Sequence, residues 1–184
     1  MFIHRYMHSR DILTESANIN PDQIDNPKEL NKVLNKFDYG FISKGKKVKS
    51  AKEYRSLSPS EFIKYKCGIC WDYCTYEDYW FKKHGYSYKL YFMVTNNATA
   101  THTFLVYKDN NSVNIFESSW SSNKGIHEFK SYSDAYTDYF KRFKEKYKSD
   151  KYVLYEYKQP SKNGLTDEEF LDHIFEFGKI IKES

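Results

Sequence analysis

A run of alternating apolar and polar residues between Gly85 and Glu117 restricts the fold of this sequence most strongly. Several segments there are rich in aromatic and β-branched residues, which is the pattern of β-strands. Asn96-Asn97 predicts a turn, and residues 109–112 predict a hairpin loop. Connections this short join antiparallel neighbours. With one later segment, the strands are predicted at 86–95, 101–108, 113–117 and 151–157.

Helix signals flank this run on both sides. Ser58-Pro59-Ser60-Glu61 combines a capping box with a proline in the first turn, and Thr166 with Glu169 forms a second capping box. Ser133 is the expected cap of another helix. The helices are predicted at 27–38, 59–66, 70–83, 133–147 and from Thr166 through Ile181. Helices before and after a run of strands predict an α+β fold with an antiparallel sheet.

Composition separates this chain from several functional classes. Aromatic residues make up 19% of the 184 residues, whereas disordered chains are poor in them. The 29 basic and 25 acidic residues give a net charge of +4, which is no argument for a nucleic-acid partner. No stretch approaches the roughly 18 apolar residues of a membrane span. The first residues lack the apolar core of a signal peptide, so we expect a cytoplasmic protein.

The chain is expected to form a single domain over residues 1–184, because no repeat or long linker divides it. Residues 1–57 are expected to be an N-terminal extension, and its basic run over 44–52 is interpreted as a solvated loop. Residues 58–120 are expected to be the core. Residues 121–184 are expected to add C-terminal strands and helices.

Cys67, Cys70 and Cys74 lie within eight residues. An odd, clustered set argues against a disulfide framework and leaves a reactive thiol, a metal site or buried thiols. Cys70 lies at the predicted first turn of a helix, where the helix dipole lowers a thiol pKa and free backbone N–H groups can bind an oxyanion. We therefore take Cys70 as the candidate nucleophile. A zinc site would need a fourth ligand such as His84, and the usual second ligand pair is missing.

A nucleophilic cysteine needs a base, and that base needs an orienting acceptor. His102 lies on the second predicted strand and Glu117 on the third. If the hairpin loop is 109–112, residue 119 lies opposite His102, so a modest bulge or slip brings Glu117 beside it. His102 and Glu117 are therefore the candidate base and acceptor. His127, in an apparent loop, is the alternative base.

Three elements of this sequence resemble, in their order along the chain, the motifs of the transglutaminase-like superfamily. They are Gly68-Ile69-Cys70-Trp71, then His102, then Val113-Asn114-Ile115-Phe116-Glu117. That superfamily belongs to the wider papain-like group of cysteine enzymes. The resemblance covers about residues 58–120, so we expect these residues to be the catalytic core. It implies a papain-like core, in which the helix bearing Cys70 packs on an antiparallel sheet. It also implies a cysteine protease, amidase or acyltransferase with a catalytic triad, acting on a peptide or protein amide through a thioester.

The sequence departs from the family pattern in two places. Glu117 stands where the superfamily usually has Asp, so the orienting role is open to another residue such as Asn114. Lys64 stands where papain peptidases have their oxyanion-binding Gln, and too few residues follow Cys70 to hold their distant His. Papain itself is therefore excluded, and the transglutaminase-like arrangement is retained.

Two tryptophans are candidate substrate-binding residues. Trp71 is either a core residue or a lid over the thiol, and Trp120, with the serines around it, is expected to border the cleft. The proposed chemistry needs no cofactor, and no acidic loop predicts a calcium site. The alternative function is a catalytically inactive binding module with the same fold, from a bacterial mobile element.

Overall fold

A six-stranded antiparallel sheet forms the centre of the structure. The computed structural model describes residues 20–95, 100–149 and 151–183. Along the sheet the strand order is β10-β9-β5-β6-β7-β8. Its strands are β5 (Tyr88–Thr95), β6 (Thr101–Asp109), β7 (Ser112–Glu117), β8 (Gly125–Phe129), β9 (Tyr152–Tyr157) and β10 (Lys179–Glu183). The predicted α+β class with an antiparallel sheet is confirmed.

Two small β-structures precede the sheet in sequence. Strands β2 (Ile42–Ser43) and β3 (Lys46–Lys47) pair as an antiparallel hairpin. Strand β1 (Asp38–Tyr39) pairs in parallel with β4 (Cys67–Gly68). The second pair brings residues before position 40 next to the segment that leads into Cys70.

Helices pack on both faces of the sheet, and two of them begin at the capping boxes that the sequence predicts. They are α1 (Pro27–Leu34), α2 (Pro59–Tyr65), α3 (Cys70–Lys83), α4 (Tyr132–Tyr147) and α5 (Asp167–Phe177). Ser58 with Glu61 and Thr166 with Glu169 both form the predicted capping boxes. These caps satisfy backbone N–H groups that have no intrahelical acceptor.

Alternation along the central strands divides the core into two clusters. Leu90 and Phe92 of β5 contact the cluster that includes α3 and α5, whereas Tyr91 and Met93 contact the cluster that includes α4. Such alternation follows from the two-residue period of a strand. Both faces of the sheet are therefore buried, and the aromatic residues that dominate the composition fill both clusters.

Five predicted features differ from the structure. The helix predicted over 27–38 ends at Leu34, because residues 38–39 pair with β4 as strand β1. Residues 125–129, predicted as a loop, form edge strand β8, where Gly125 follows a tight turn. The last helix ends at Phe177, because residues 179–183 pair with β9 as strand β10. The basic run, predicted as a loop, contains the β2–β3 hairpin, and the cap of α4 is Ser131 instead of Ser133. The turn predicted at 96–97 lies outside the described residues.

Within the described ranges, none of the helices is both long and apolar enough to cross a membrane.

Candidate active site

Cys70 occupies the first position of α3, and its sulfur is buried. The chain enters this helix through β4, in which Gly68 lies against Asp72. A Cβ atom at Gly68 would lie 2.6 Å from the Asp72 Cβ atom, closer than real Cβ contacts allow. Glycine is therefore required at this position, and the close approach fixes the backbone just before Cys70.

Asp72 anchors the beginning of α3 from inside the protein. Its carboxylate accepts hydrogen bonds from the backbone N–H of Ile69 (2.8 Å), the backbone N–H of Leu57 (2.8 Å) and the hydroxyl of Tyr54 (2.8 Å). Burial raises the Asp72 pKa to about 7, although these hydrogen bonds oppose the shift. The anchor ties the segment 54–57 to the turn that presents Cys70.

His102 and Glu117 meet on one face of the sheet without a bulge. Strands β6 and β7 pair with Lys108 opposite Val113, as the hairpin predicted. In this register Glu117 lies diagonally across from His102, a separation that long side chains can span. The His102 Nε2 to Glu117 Oε2 distance is 2.8 Å, and both side chains are buried. The predicted bulge or slip was therefore wrong, because the side chains themselves reach across.

Glu117 is surrounded by hydrogen-bond donors. Besides His102, its carboxylate accepts from the backbone N–H groups of Ser119 (2.8 Å) and Trp120 (2.7 Å) and from the Tyr139 hydroxyl of α4. Burial alone would raise its pKa, but the charge of His102 and these hydrogen bonds lower the Glu117 pKa to about 2. Glu117 is therefore ionised throughout the neutral range.

The Cys70 thiol lies beside His102 and the neighbouring strand residue Thr103. Burial would raise the thiol pKa, but the hydrogen bond and charge of His102 and the hydrogen bonds from Thr103 lower it overall. Burial would likewise lower the His102 pKa, but the Glu117 charge and the Cys70 contact raise it to about 10. Each group stabilises the charged form of its neighbour, so the arrangement favours a thiolate–imidazolium pair.

A cleft of about 240 Å³ opens beside His102 and borders Trp120. The Trp120 ring packs edge-on against the imidazole, with 5.2 Å between ring centroids. The cleft is lined by Tyr39, Thr101, His102, Ser119, Trp120, Ser121, Lys146 and Tyr147. A larger cavity of about 610 Å³ lies between α2 and α3, but it contains none of the three candidate catalytic residues.

The structure locates Trp71 in the core instead of the cleft. It is 1% exposed, and its ring stacks on Phe170 of α5 with 4.0 Å between centroids. Of the two predicted substrate-binding tryptophans, Trp120 alone lines the described cleft. The difference arises because Trp71 follows Cys70 on α3 and faces the helix α5 that covers it.

The alternative site residues have other partners. Asn114 donates to the Ser112 hydroxyl at 2.9 Å, at the far end of β7. His127 contacts the Asn123 carbonyl at 2.7 Å, and His84 contacts the Trp80 carbonyl at 2.8 Å. Among the described residues no group of three or more His, Cys, Asp or Glu side chains is arranged to hold a metal ion.

Three residues of this site were missed by sequence reasoning. Tyr139 lies within the helix predicted over 133–147, and its hydroxyl gives no separate signal in the sequence. Asp72 carries a recognisable signal, since an acidic residue at the third helical position commonly bonds back to the start of a helix. Glu77 is buried next to this site and bonds to Ser118. Burial and the nearby Glu117 charge raise the Glu77 pKa to about 8.

Comparison with known protein families identifies the class to which the chain belongs. Residues 22–152 match the family described as a transglutaminase-like domain. The match covers most of the chain and includes Cys70, His102 and Glu117, so the chain belongs to the transglutaminase-like superfamily. The sequence matches no curated protein.

Proposed function

We propose that this protein is a cysteine-dependent acyl-transfer enzyme, in which Cys70 is the nucleophile, His102 the base and Glu117 the residue that orients the base. The observation that carries the proposal is the buried line of contacts from the Cys70 thiol through the His102 ring to the Glu117 carboxylate. A nucleophile, a base and an orienting acceptor in this order are the requirements of acyl transfer.

In the proposed reaction His102 receives the Cys70 proton. Nε2 of the ring is engaged with Glu117, which leaves Nδ1 for the thiol. The thiolate attacks an amide carbonyl, and a carbon–sulfur bond forms as the carbonyl electron pair moves to oxygen. When this intermediate collapses, the carbon–nitrogen bond breaks and His102 protonates the departing amine. Water or a second amine then attacks the thioester, which gives hydrolysis or transfer.

The other two cysteines are poorly suited to this role. Burial raises the pKa of both Cys67 and Cys74, whereas the thiolate is the reactive form. Of the three thiols, Cys70 alone has a lowered pKa. The electrostatic environment therefore favours Cys70 as the single nucleophile.

The wider architecture supports the finer parts of this proposal. Helix α3 packs on β6, the strand that carries His102, as a papain-like core requires. The C-terminal strands β9 and β10 join the same sheet as β5 to β8, which supports a single domain. The narrow cleft suits an extended peptide or a side-chain amide as substrate.

The first test is the pH dependence of iodoacetamide alkylation, with the modified cysteine located by mass spectrometry. We expect selective alkylation of Cys70, with an apparent pKa below the roughly 8.5 of a free thiol. The His102→Ala variant should lose this low apparent pKa. The Cys67→Ala variant is the matched control, because it removes a nearby buried thiol and should leave the profile unchanged.

Slow alkylation shared among the three cysteines, with no response to His102→Ala, would contradict the enzyme proposal. That result would favour the alternative function, a binding module that has kept the fold without the chemistry.

A further inference from the structure

Tyr39 lies next to the segment that presents Cys70, although 31 positions separate them in the sequence. In the parallel pair of β1 and β4, Tyr39 is opposite Gly68, two residues before Cys70. The backbone on either side of it is fixed, since the Asp38 N–H donates to the Lys66 carbonyl (2.9 Å) and the Gly40 N–H donates to the Gly68 carbonyl (3.0 Å). The position of Tyr39 is therefore set by the same strand that leads into α3.

The Tyr39 side chain reaches from the surface into the cleft. The residue is 58% exposed, yet it lines the cleft together with His102 and Trp120. Its phenol lies close enough to Cys70 to interact with both the thiol and the backbone of that residue. The negative charge of the Cys70 thiolate, followed by burial, raises the Tyr39 pKa. The phenol therefore stays protonated and remains a hydrogen-bond donor at neutral pH.

An acyl-transfer site needs donors at the point where the carbonyl oxygen becomes negatively charged. The Cys70 backbone N–H is one such donor, because the first N–H groups of a helix have no intrahelical acceptor. We propose that the Tyr39 hydroxyl is the second donor, and that it hydrogen-bonds to the developing oxyanion together with the Cys70 N–H. The proton stays on Tyr39 throughout, so the hydroxyl stabilises charge without taking part in proton transfer. This inference rests on the proposed function.

Trp120 is the competing donor in the cleft. Its indole Nε1 is buried and has no hydrogen-bond partner among the described residues. Its ring, however, packs against the imidazole of His102, whereas Tyr39 interacts with the reacting Cys70 thiol itself. The geometry therefore favours Tyr39, and the two residues can be separated by substitution.

The test compares two reactions of Cys70 in the full-length protein. In the first, 4-nitrophenyl acetate acylates the thiol through a tetrahedral oxyanion, and release of 4-nitrophenolate reports the rate. In the second, iodoacetamide alkylates the thiol by displacement of iodide, a reaction that forms no oxyanion at the attacked carbon. A lost oxyanion donor slows the first reaction and leaves the second nearly unchanged.

We expect Tyr39→Phe to slow acylation by about 10²- to 10³-fold, the range found when one oxyanion donor is removed. Alkylation should change by less than about threefold. Tyr79→Phe is the matched control, since Tyr79 is a partly exposed tyrosine of α3 that lines the separate cavity. It should leave both rates unchanged, and equal melting temperatures would show that the variants are folded.

Three results would overturn the assignment to Tyr39. Equal slowing of both reactions would mean that Tyr39 acts on the thiolate alone. Faster acylation in Tyr39→Phe would mean that its hydroxyl blocks the oxyanion position. Unchanged acylation in Tyr39→Phe, with a large loss in Trp120→Phe, would assign the donor to Trp120. By contrast, a wild-type protein whose acylation does not depend on Cys70 would refute the proposed function itself.

Discussion

Replacing Glu117 with Gln should disrupt the thiolate–imidazolium pair. The Glu117 pKa falls from its ordinary 4.5 to about 2 in the protein. That shift corresponds to about 3 kcal/mol of favourable interaction with its surroundings, chiefly with His102 and the donors around it. Without this charge the imidazolium loses its buried counterion, so we expect the apparent pKa of the Cys70 thiol to rise toward the value of a free thiol.

The appropriate measurement is the midpoint of the alkylation profile between pH 4 and 10. The rate at one pH is a poor measure, because a thiolate of lower pKa is also intrinsically less nucleophilic and the two effects oppose each other. Thermal unfolding of the same variant gives an independent measure. A loss of about 3 kcal/mol lowers the melting temperature of a chain this size by about 6–12 °C.

Two further variants make this experiment decisive. Glu128→Gln removes an exposed carboxylate from the neighbouring strand β8 and should leave the midpoint unchanged. Glu117→Asp keeps the charge but withdraws the carboxylate by about 1.5 Å, beyond hydrogen-bond reach of His102 across the diagonal. It should therefore raise the midpoint less than Glu117→Gln does, because the hydrogen bond is lost while the buried negative charge remains near His102. An unchanged midpoint in Glu117→Gln would refute the argument that Glu117 holds His102 in its charged form.

Three other predictions concern stability and are checked by thermal unfolding. Asp72→Asn should cost about 1–3 kcal/mol, because a buried acceptor of three hydrogen bonds loses its charge and one of its oxygens. Gly68→Ala should lower the melting temperature more than Gly40→Ala does. A Cβ atom at position 68 would collide with Asp72, whereas one at position 40 would make only an ordinary contact with the Cys67 sulfur. The stability difference between wild type and Glu117→Gln should be largest between about pH 4.5 and 6.5. It should shrink toward pH 2 as Glu117 protonates and toward pH 10 as His102 loses its proton.

Local sequence signals predicted the elements that carry the site. The hairpin loop at 109–112 set the pairing of Lys108 with Val113, and that register decides which residues lie near His102. The capping boxes of α2 and α5 likewise formed as expected. Turns and caps are determined by residues close in sequence, so a single sequence contains the information that specifies them.

Local sequence signals do not predict contacts between segments that are far apart in the sequence. Strand β10 forms because residues 179–183 pair with β9, although the spacing of apolar residues there continues the helical pattern of α5. Tyr139 and Tyr39 approach the site from α4 and β1, and nothing in their sequence neighbourhoods distinguishes them from the other tyrosines. Tertiary pairing determines these positions, and local propensity yields to it.

The charges buried around the site explain how so polar a cluster is accommodated inside an aromatic core. Glu117 and Glu77 are both buried, but their pKa values shift in opposite directions, to about 2 and about 8. At neutral pH Glu117 is therefore ionised and Glu77 is mostly protonated, so a single carboxylate faces the His102 imidazolium. The negative charge of the Cys70 thiolate then lies at the beginning of α3, where the helix dipole and free backbone N–H groups stabilise it. This distribution leaves His102 charged and oriented before a substrate arrives, which is the condition that the proposed acyl transfer requires.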